Sequence, residues 1–164
     1  LIAICWRASA PRSKLKATFR RAAEEAFMKA RESRRRTLLV DDEDDFRTAV
    51  RAWLETEYEH VDARDADEFE HRLLTHKPDL IILDLHMKDL DGFTLCRRLR
   101  DDPRWVDVPV LFLTGSREIR DFQRNFAAGG TSYLMKPVGR KQLLSAIEDL
   151  LSARVGGTDV GVVD

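Results

Sequence analysis

The chain is 164 residues long with 43% hydrophobic residues and a formal net charge of -1, which suits one globular domain with an appendage. The near-neutral total hides an asymmetry: residues 1–36 carry 11 Lys/Arg against 3 Asp/Glu (+8), and the remainder carries 17 against 26 (-9), so a basic arm precedes an acidic domain. Cys5 and Cys96 stand far apart with no CxxC or Cys/His spacing, and the apolar stretch Leu1–Trp6 is too short for a secretory core or a membrane span of about 20 residues. A cytoplasmic location in a reducing cytosol is therefore expected, with neither a disulfide framework nor a zinc site.

In chain order, Ser13 to Arg36 has no Pro or Gly and spaces Leu15, Phe19, Ala22, Ala26 and Ala30 along one face, which predicts a basic amphipathic helix. Glu25 with Lys29 and Glu32 with Arg36 support it at i,i+4. Domain bounds are read as a basic helical extension or linker over 1–36, a main domain over 37–153 and a tail over 154–164 that is disordered or leads into a further domain. Met28 offers an alternative start, which would make residues 1–27 non-native. The chain opens on Leu, so it is also compatible with a fragment.

From Thr37 short apolar runs alternate with amphipathic stretches, predicting five βα units around a parallel sheet. The strands are placed at Leu38–Val40, weakly at His60–Ala63, then at Leu80–Leu83, Val108–Leu113 and Ser132–Met135. Buried helix faces are read at Phe46, Val50, Trp53 and Leu54; at Phe69, Leu73 and Leu74; at Ile119, Phe122 and Phe126; and at Leu143, Leu144, Ile147, Leu150 and Leu151. Asp91-Gly92 and Gly129-Gly130 mark turns or helix ends.

Ligands of an open α/β sheet bind beyond the carboxyl ends of the strands, and four runs end there in polar residues. These are Asp41-Asp42-Glu43 after the first strand, Asp84 after the third, Thr114 after the fourth and Lys136-Pro137 after the fifth. Carboxylates gathered at one edge repel one another unless a cation sits among them, and oxygen donors without His or Cys favour magnesium. A lysine and a hydroxyl beside an aspartate nucleophile suit phosphoryl transfer.

Singly, Asp41 to Asp45 reads as a helix-start cluster, Thr114 as a turn residue and Lys136 as a surface lysine. It is their order at four strand ends that points to a site.

With Leu39-Val40-Asp41-Asp42-Glu43, Pro78 through Met87, Asp91-Gly92, Pro109 through Thr114 and Tyr133-Leu134-Met135-Lys136-Pro137, the chain resembles the response-regulator receiver domains of bacterial two-component signalling. The resemblance implies a flavodoxin-like (βα)5 doubly wound sheet in order 2-1-3-4-5. It implies a phosphoacceptor at Asp84, a Mg2+ site from Asp41, Asp42, Asp84 and the backbone carbonyl of His86, catalytic help from Thr114 and Lys136, and a switch pair of Thr114 and Tyr133. The implied partners are a histidine kinase or phosphotransfer protein and a downstream protein that meets the surface of the fourth helix, fifth strand and fifth helix.

Two positions depart from the family pattern: Lys88 stands where proline is common, and Gly130 where alanine is usual. The imidazole of His86 is expected to face solvent, because magnesium prefers oxygen. A rival, an aspartate-nucleophile phosphohydrolase of the haloacid dehalogenase kind, would want an acid two residues after the nucleophile, where His86 stands. Nucleic acid is not expected as a partner, because the basic arm lacks interleaved aromatics and any helix-turn-helix or zinc pattern. No enzymatic turnover is expected beyond the domain's own phosphorylation and dephosphorylation.

Overall fold

The computed structural model describes residues 34–88, 91–115 and 127–155. The basic arm, the fourth predicted helix with Ile119, Phe122 and Phe126, the tail after Val155 and the alternative start at Met28 lie outside them. Five strands, β1 (Arg36–Val40), β2 (Glu59–Ala63), β3 (Leu80–Asp84), β4 (Val110–Thr114) and β5 (Ser132–Met135), form one sheet in order β2-β1-β3-β4-β5. Every pairing is parallel. The described helices are α1 (Asp44–Leu54), α2 (Ala66–His76), α3 (Gly92–Asp101) and α4 (Arg140–Val155).

The sheet is covered on both faces, which is why its central strands read as continuous apolar runs. Successive residues alternate between two cores. Leu38, Val40, Ile81, Leu83, Val110 and Phe112 pack with Phe69 and Leu73 of α2 and with Phe93, Leu95, Cys96 and Leu99 of α3. Leu39, Leu80, Ile82, Leu111 and Leu113 pack on the other side with Val50 and Leu54 of α1 and Leu143, Ile147 and Leu151 of α4. The edge strands β2 and β5 are mostly half-buried, so the weak sequence signal at His60–Ala63 reflects an edge position.

Three details differ from the sequence reading. β4 begins at Val110, not Val108: Pro109 has no N–H for the ladder, although its carbonyl accepts from Ile81 at 3.0 Å. Leu74 is 50% exposed and belongs to the solvent side of α2. The apolar face of α3 went unassigned in sequence, yet Phe93, Leu95, Cys96 and Leu99 are all buried, and the Phe93 ring packs on Phe112 at 5.4 Å.

Local chemistry sets the helix starts. Asp65 caps α2 by accepting from the Glu68 N–H, and Asp91 caps α3 by accepting from the Phe93 N–H. The α1 start has no side-chain cap but carries Asp44 and Asp45 in its first turn, where the helix dipole favours acids. Crossing from β1 to β2 on one side and then back to β3 on the other makes β1/β3 the switch point of the sheet, the expected place for a ligand.

Candidate functional site

The switch point delivers two acids from neighbouring strands. Val40 pairs with Leu83, so Asp41 and Asp84 leave β1 and β3 side by side. Both are buried, Asp41 completely and Asp84 at 5% exposure. Asp42 is half-buried, and one carboxylate oxygen from each of the three acids lies within 4.8 Å of the others. Lys136 reaches in from the end of β5 and places its Nζ 2.7 Å from Asp41 Oδ2 and 3.3 Å from Asp84 Oδ2.

The backbone fixes each partner. The Asp41 N–H donates to Ala63 O at 3.1 Å, the Leu85 N–H to Leu113 O at 2.9 Å, and the Lys136 N–H to Thr114 O at 2.7 Å. Asp41 Oδ1 accepts from the Glu43 N–H at 2.9 Å and Asp42 Oδ2 from the Lys88 N–H at 3.1 Å. Thr114, at 3% exposure, ends β4 one strand away from Asp84. The Lys136-Pro137 peptide is cis. A surface cleft of about 300 Å³ opens beside Asp42, lined by Arg64, Asp65, Met87 and Lys88 among others.

Gly92 explains the Asp91-Gly92 signal. A Cβ at this position would collide with the carbonyl oxygen of Asp84 and approach Leu85 Cα at 3.2 Å. Only glycine lets the start of α3 lie against the strand end that carries Asp84.

Electrostatically the site is unresolved by protein groups alone. Burial pushes the Asp41 carboxyl above its ordinary value, and the neighbouring Asp84 charge adds to this. The hydrogen bonds from Lys136 and the Glu43 backbone act in the opposite direction without overcoming it. Burial works to lower Lys136, but its hydrogen bond to Asp41 and the charges of Asp41 and Asp84 outweigh that and hold the ammonium above its ordinary value. We therefore take Lys136 as charged and the acid cluster as short of positive charge. An all-oxygen donor set with this deficit fits a hard divalent cation.

The structure thus brings together Asp41, Asp42, Asp84 and Lys136, with Thr114 at the adjoining strand end. The side chain of His86 is exposed, as expected, and its backbone forms an antiparallel bridge with Asp91. Tyr133 is half-buried and packs against the core on the α2/α3 face. Two neighbours of the site escaped the sequence reading. Arg47 is buried and its Nη1 donates to the Asp41 carbonyl at 2.7 Å; its Nε lies 3.3 Å from Asp62 Oδ2, and it also pairs with Asp44. An arginine three residues before Val50 and seven before Leu54, on the buried stripe of α1, was the available signal. Phe46, read only as core, lies beneath the Lys136 ammonium at 4.5 Å from ring centroid to Nζ.

A parallel sheet in this order, with an acid cluster and lysine at its carboxyl edge, defines a receiver-type α/β domain. Residues 37–148 match the response regulator receiver domain family, and the chain belongs to it. Over 117 residues it is 38% identical to the DNA-binding dual master transcriptional regulator RpaA of Synechocystis sp., covering 71% of this chain and 48% of that regulator. The chain thus spans about half the length of that relative.

Among solved structures it is similar to the chemotaxis protein CheY4 of Vibrio cholerae (28% identity, TM-score 0.69), covering 72% of this chain and 99% of that one. It is also similar to the receiver domain of a signal transduction histidine kinase from Syntrophus aciditrophicus (32% identity, TM-score 0.67), covering 78% and 97%. Residues 37–148 of this chain therefore form a response regulator receiver domain. Among the described residues no helix is long and apolar enough to cross a membrane. The expectation that nucleic acid is not a partner gains no support, since RpaA is named as a DNA-binding regulator.

Proposed function

We propose that this receiver takes a phosphoryl group from a histidine kinase or phosphotransfer protein onto Asp84 and relays the change through its surface. The observation that carries the reading is the buried Asp84 carboxylate 3.3 Å from the Lys136 ammonium, with Asp41 and Asp42 close enough to share a cation. Asp41, Asp42, Asp84 and the His86 backbone carbonyl would hold Mg2+, which supplies charge neutralisation for phosphoryl oxygens.

The Asp84 carboxylate attacks phosphorus in line. An O–P bond forms as the P–N bond of the donor phosphohistidine breaks, and the departing imidazole takes up a proton. Lys136 pairs with a phosphoryl oxygen, so its bridge to Asp84 is exchanged for one to the new group. The Thr114 hydroxyl donates to another oxygen, and Tyr133 turns inward as Thr114 moves, which shifts a two-state equilibrium at the surface of the fourth predicted helix, β5 and α4. The only chemistry catalysed is the domain's own phosphorylation and dephosphorylation.

We place the receiver at 37–153, preceded by a basic extension over 1–36 and followed by a tail over 154–164. The DNA-binding name of RpaA supports an output on DNA when such a receiver is joined to a further domain.

The test is incubation with acetyl phosphate and Mg2+. One phosphoryl group should be gained on the peptide carrying Asp84, and Asp84→Asn, nearly isosteric but not nucleophilic, should abolish it with the fold intact. Undiminished labelling of the variant would move the acceptor elsewhere. Multiple turnover on a generic aryl phosphate would favour a hydrolase instead.

A further inference from the structure

We infer that Phe46 is a positioning residue for phosphoryl transfer, holding the Lys136 ammonium against its aromatic face so that the charge is already placed between Asp41 and Asp84. The inference rests on the phosphoacceptor reading above and adds a residue to it.

The geometry gives the ammonium three neighbours. Asp41 Oδ2 lies at 2.7 Å and Asp84 Oδ2 at 3.3 Å, and the Phe46 ring centroid lies at 4.5 Å, within the range where a cation is attracted by the negative face of the ring. The Lys136 side chain is only 19% exposed, so this attraction is weakly screened and the ring keeps water from one side of the charge. Phe46 is itself anchored. It sits in the first turn of α1, two residues after the helix begins, and packs partly buried against the core that contains Leu39, Val138 and Leu143.

A lysine has a long stem whose freedom is lost when the ammonium must occupy one spot. At the end of β5 its backbone is held by the bond to Thr114 O, but the four-carbon stem is not fixed by that bond. Asp41 alone would draw the ammonium toward the fully buried acid. The ring adds a further attraction on the ammonium at 4.5 Å. When the phosphoryl group arrives, the charge is then at its working position and little reorganisation is left to pay in the transition state. An aliphatic side chain at position 46 could fill the same volume against the core but would present no quadrupole to the cation.

The experiment compares the full chain with Phe46→Leu and Phe46→Tyr, using acetyl phosphate and Mg2+ as the probe. Phe46→Leu is expected to lower the maximal rate of aspartyl phosphate formation about 3- to 10-fold with little change in the half-saturating Mg2+ concentration, and Phe46→Tyr to restore most of it. An independent readout is the NMR shift of the Lys136 ε-methylene protons. The ring should move them upfield in the parent and Phe46→Tyr, and the shift should vanish in Phe46→Leu.

A parent-like rate in folded Phe46→Leu, or an equal loss in Phe46→Tyr, overturns the positioning role. Absence of the ring-current shift in the parent overturns the contact itself. A parent protein that shows the shift but is never labelled overturns the phosphoacceptor reading, and the role inferred for Phe46 falls with it.

Discussion

The two ends of the sheet handle buried charge in opposite ways. At the amino end, Arg100 donates from Nε to Gly129 O at 2.8 Å and from Nη1 to Trp105 O at 3.2 Å and Val108 O at 2.9 Å, so one guanidinium satisfies three backbone carbonyls. Nearby, the Arg36 N–H donates to Asp79 Oδ2 at 2.8 Å while the Asp79 N–H donates to Arg36 O at 2.8 Å. At the carboxyl end, three acids share one lysine among their closest cations, and Asp41 is held above its ordinary value mainly by burial. One end resolves its electrostatics within the chain; the other leaves a deficit that a cation and a phosphoryl group can exploit.

The contrast predicts that the amino end carries stability without chemistry. Arg100→Ala removes the donor of the Gly129 and Val108 carbonyls, while Trp105 O keeps the Val108 N–H at 3.0 Å. It is expected to cost about 4 kcal/mol in urea unfolding, while the folded fraction is labelled by acetyl phosphate at the parent rate. Slower labelling in fully folded variant would erase the division between the two ends.

A second, smaller effect belongs to β2. Burial pushes His60 down to about 4, and its Nδ1 pairs with Thr37 Oγ1 at 2.9 Å while its Nε2 is buried without a hydrogen-bond partner among the described residues. The unfolded imidazole titrates near 6.5, so between there and about 4 the unfolded chain binds more protons. Stability is therefore expected to be full above pH 6.5 and to fall by at most about 3 kcal/mol as pH drops through that window. Urea midpoints taken across pH should show this limb, and it should flatten in His60→Leu.

The smallest effect sharpens the carboxyl end. A carboxyl raised in the folded state loses stability as pH rises from its ordinary 3.8 through the folded value, so ionised Asp41 is a cost at neutral pH. Without divalent cation, Asp41→Asn should equal or exceed the parent by about 1 kcal/mol. Mg2+ at ten times its dissociation constant should then stabilise the parent by about 1.4 kcal/mol and the variant far less. A variant less stable than the parent without Mg2+ would mean that the Lys136 bridge outweighs burial.

Much of this was legible in sequence because buried parallel strands stop abruptly. Leu80 to Leu83 and Val110 to Leu113 are uninterrupted apolar runs, so the Asp84 and Thr114 that follow are conspicuous. The residues that escaped are those whose partners are set by the fold and not by local spacing. Arg47 and Arg100 belong to no motif, and their roles show only where the Asp41 and Gly129 carbonyls meet them. Phe46 read correctly as core, but its second contact, with Lys136, exists only across the fold. The α3 face was missed because only Phe93, Leu95, Cys96 and Leu99 interrupt a polar stretch that ends in Arg97-Arg98 and Arg100-Asp101-Asp102.

The bridge between Lys136 and Asp41 joins residues 95 positions apart, the first strand to the last. Contacts of such separation carry a loop-closure cost that local contacts avoid, and non-local parallel pairing slows folding. A chain whose last strand has not yet joined therefore has its acids but not the ammonium that works with them. On the phosphoacceptor reading proposed above, competence to accept a phosphoryl group requires the last strand to have joined the first.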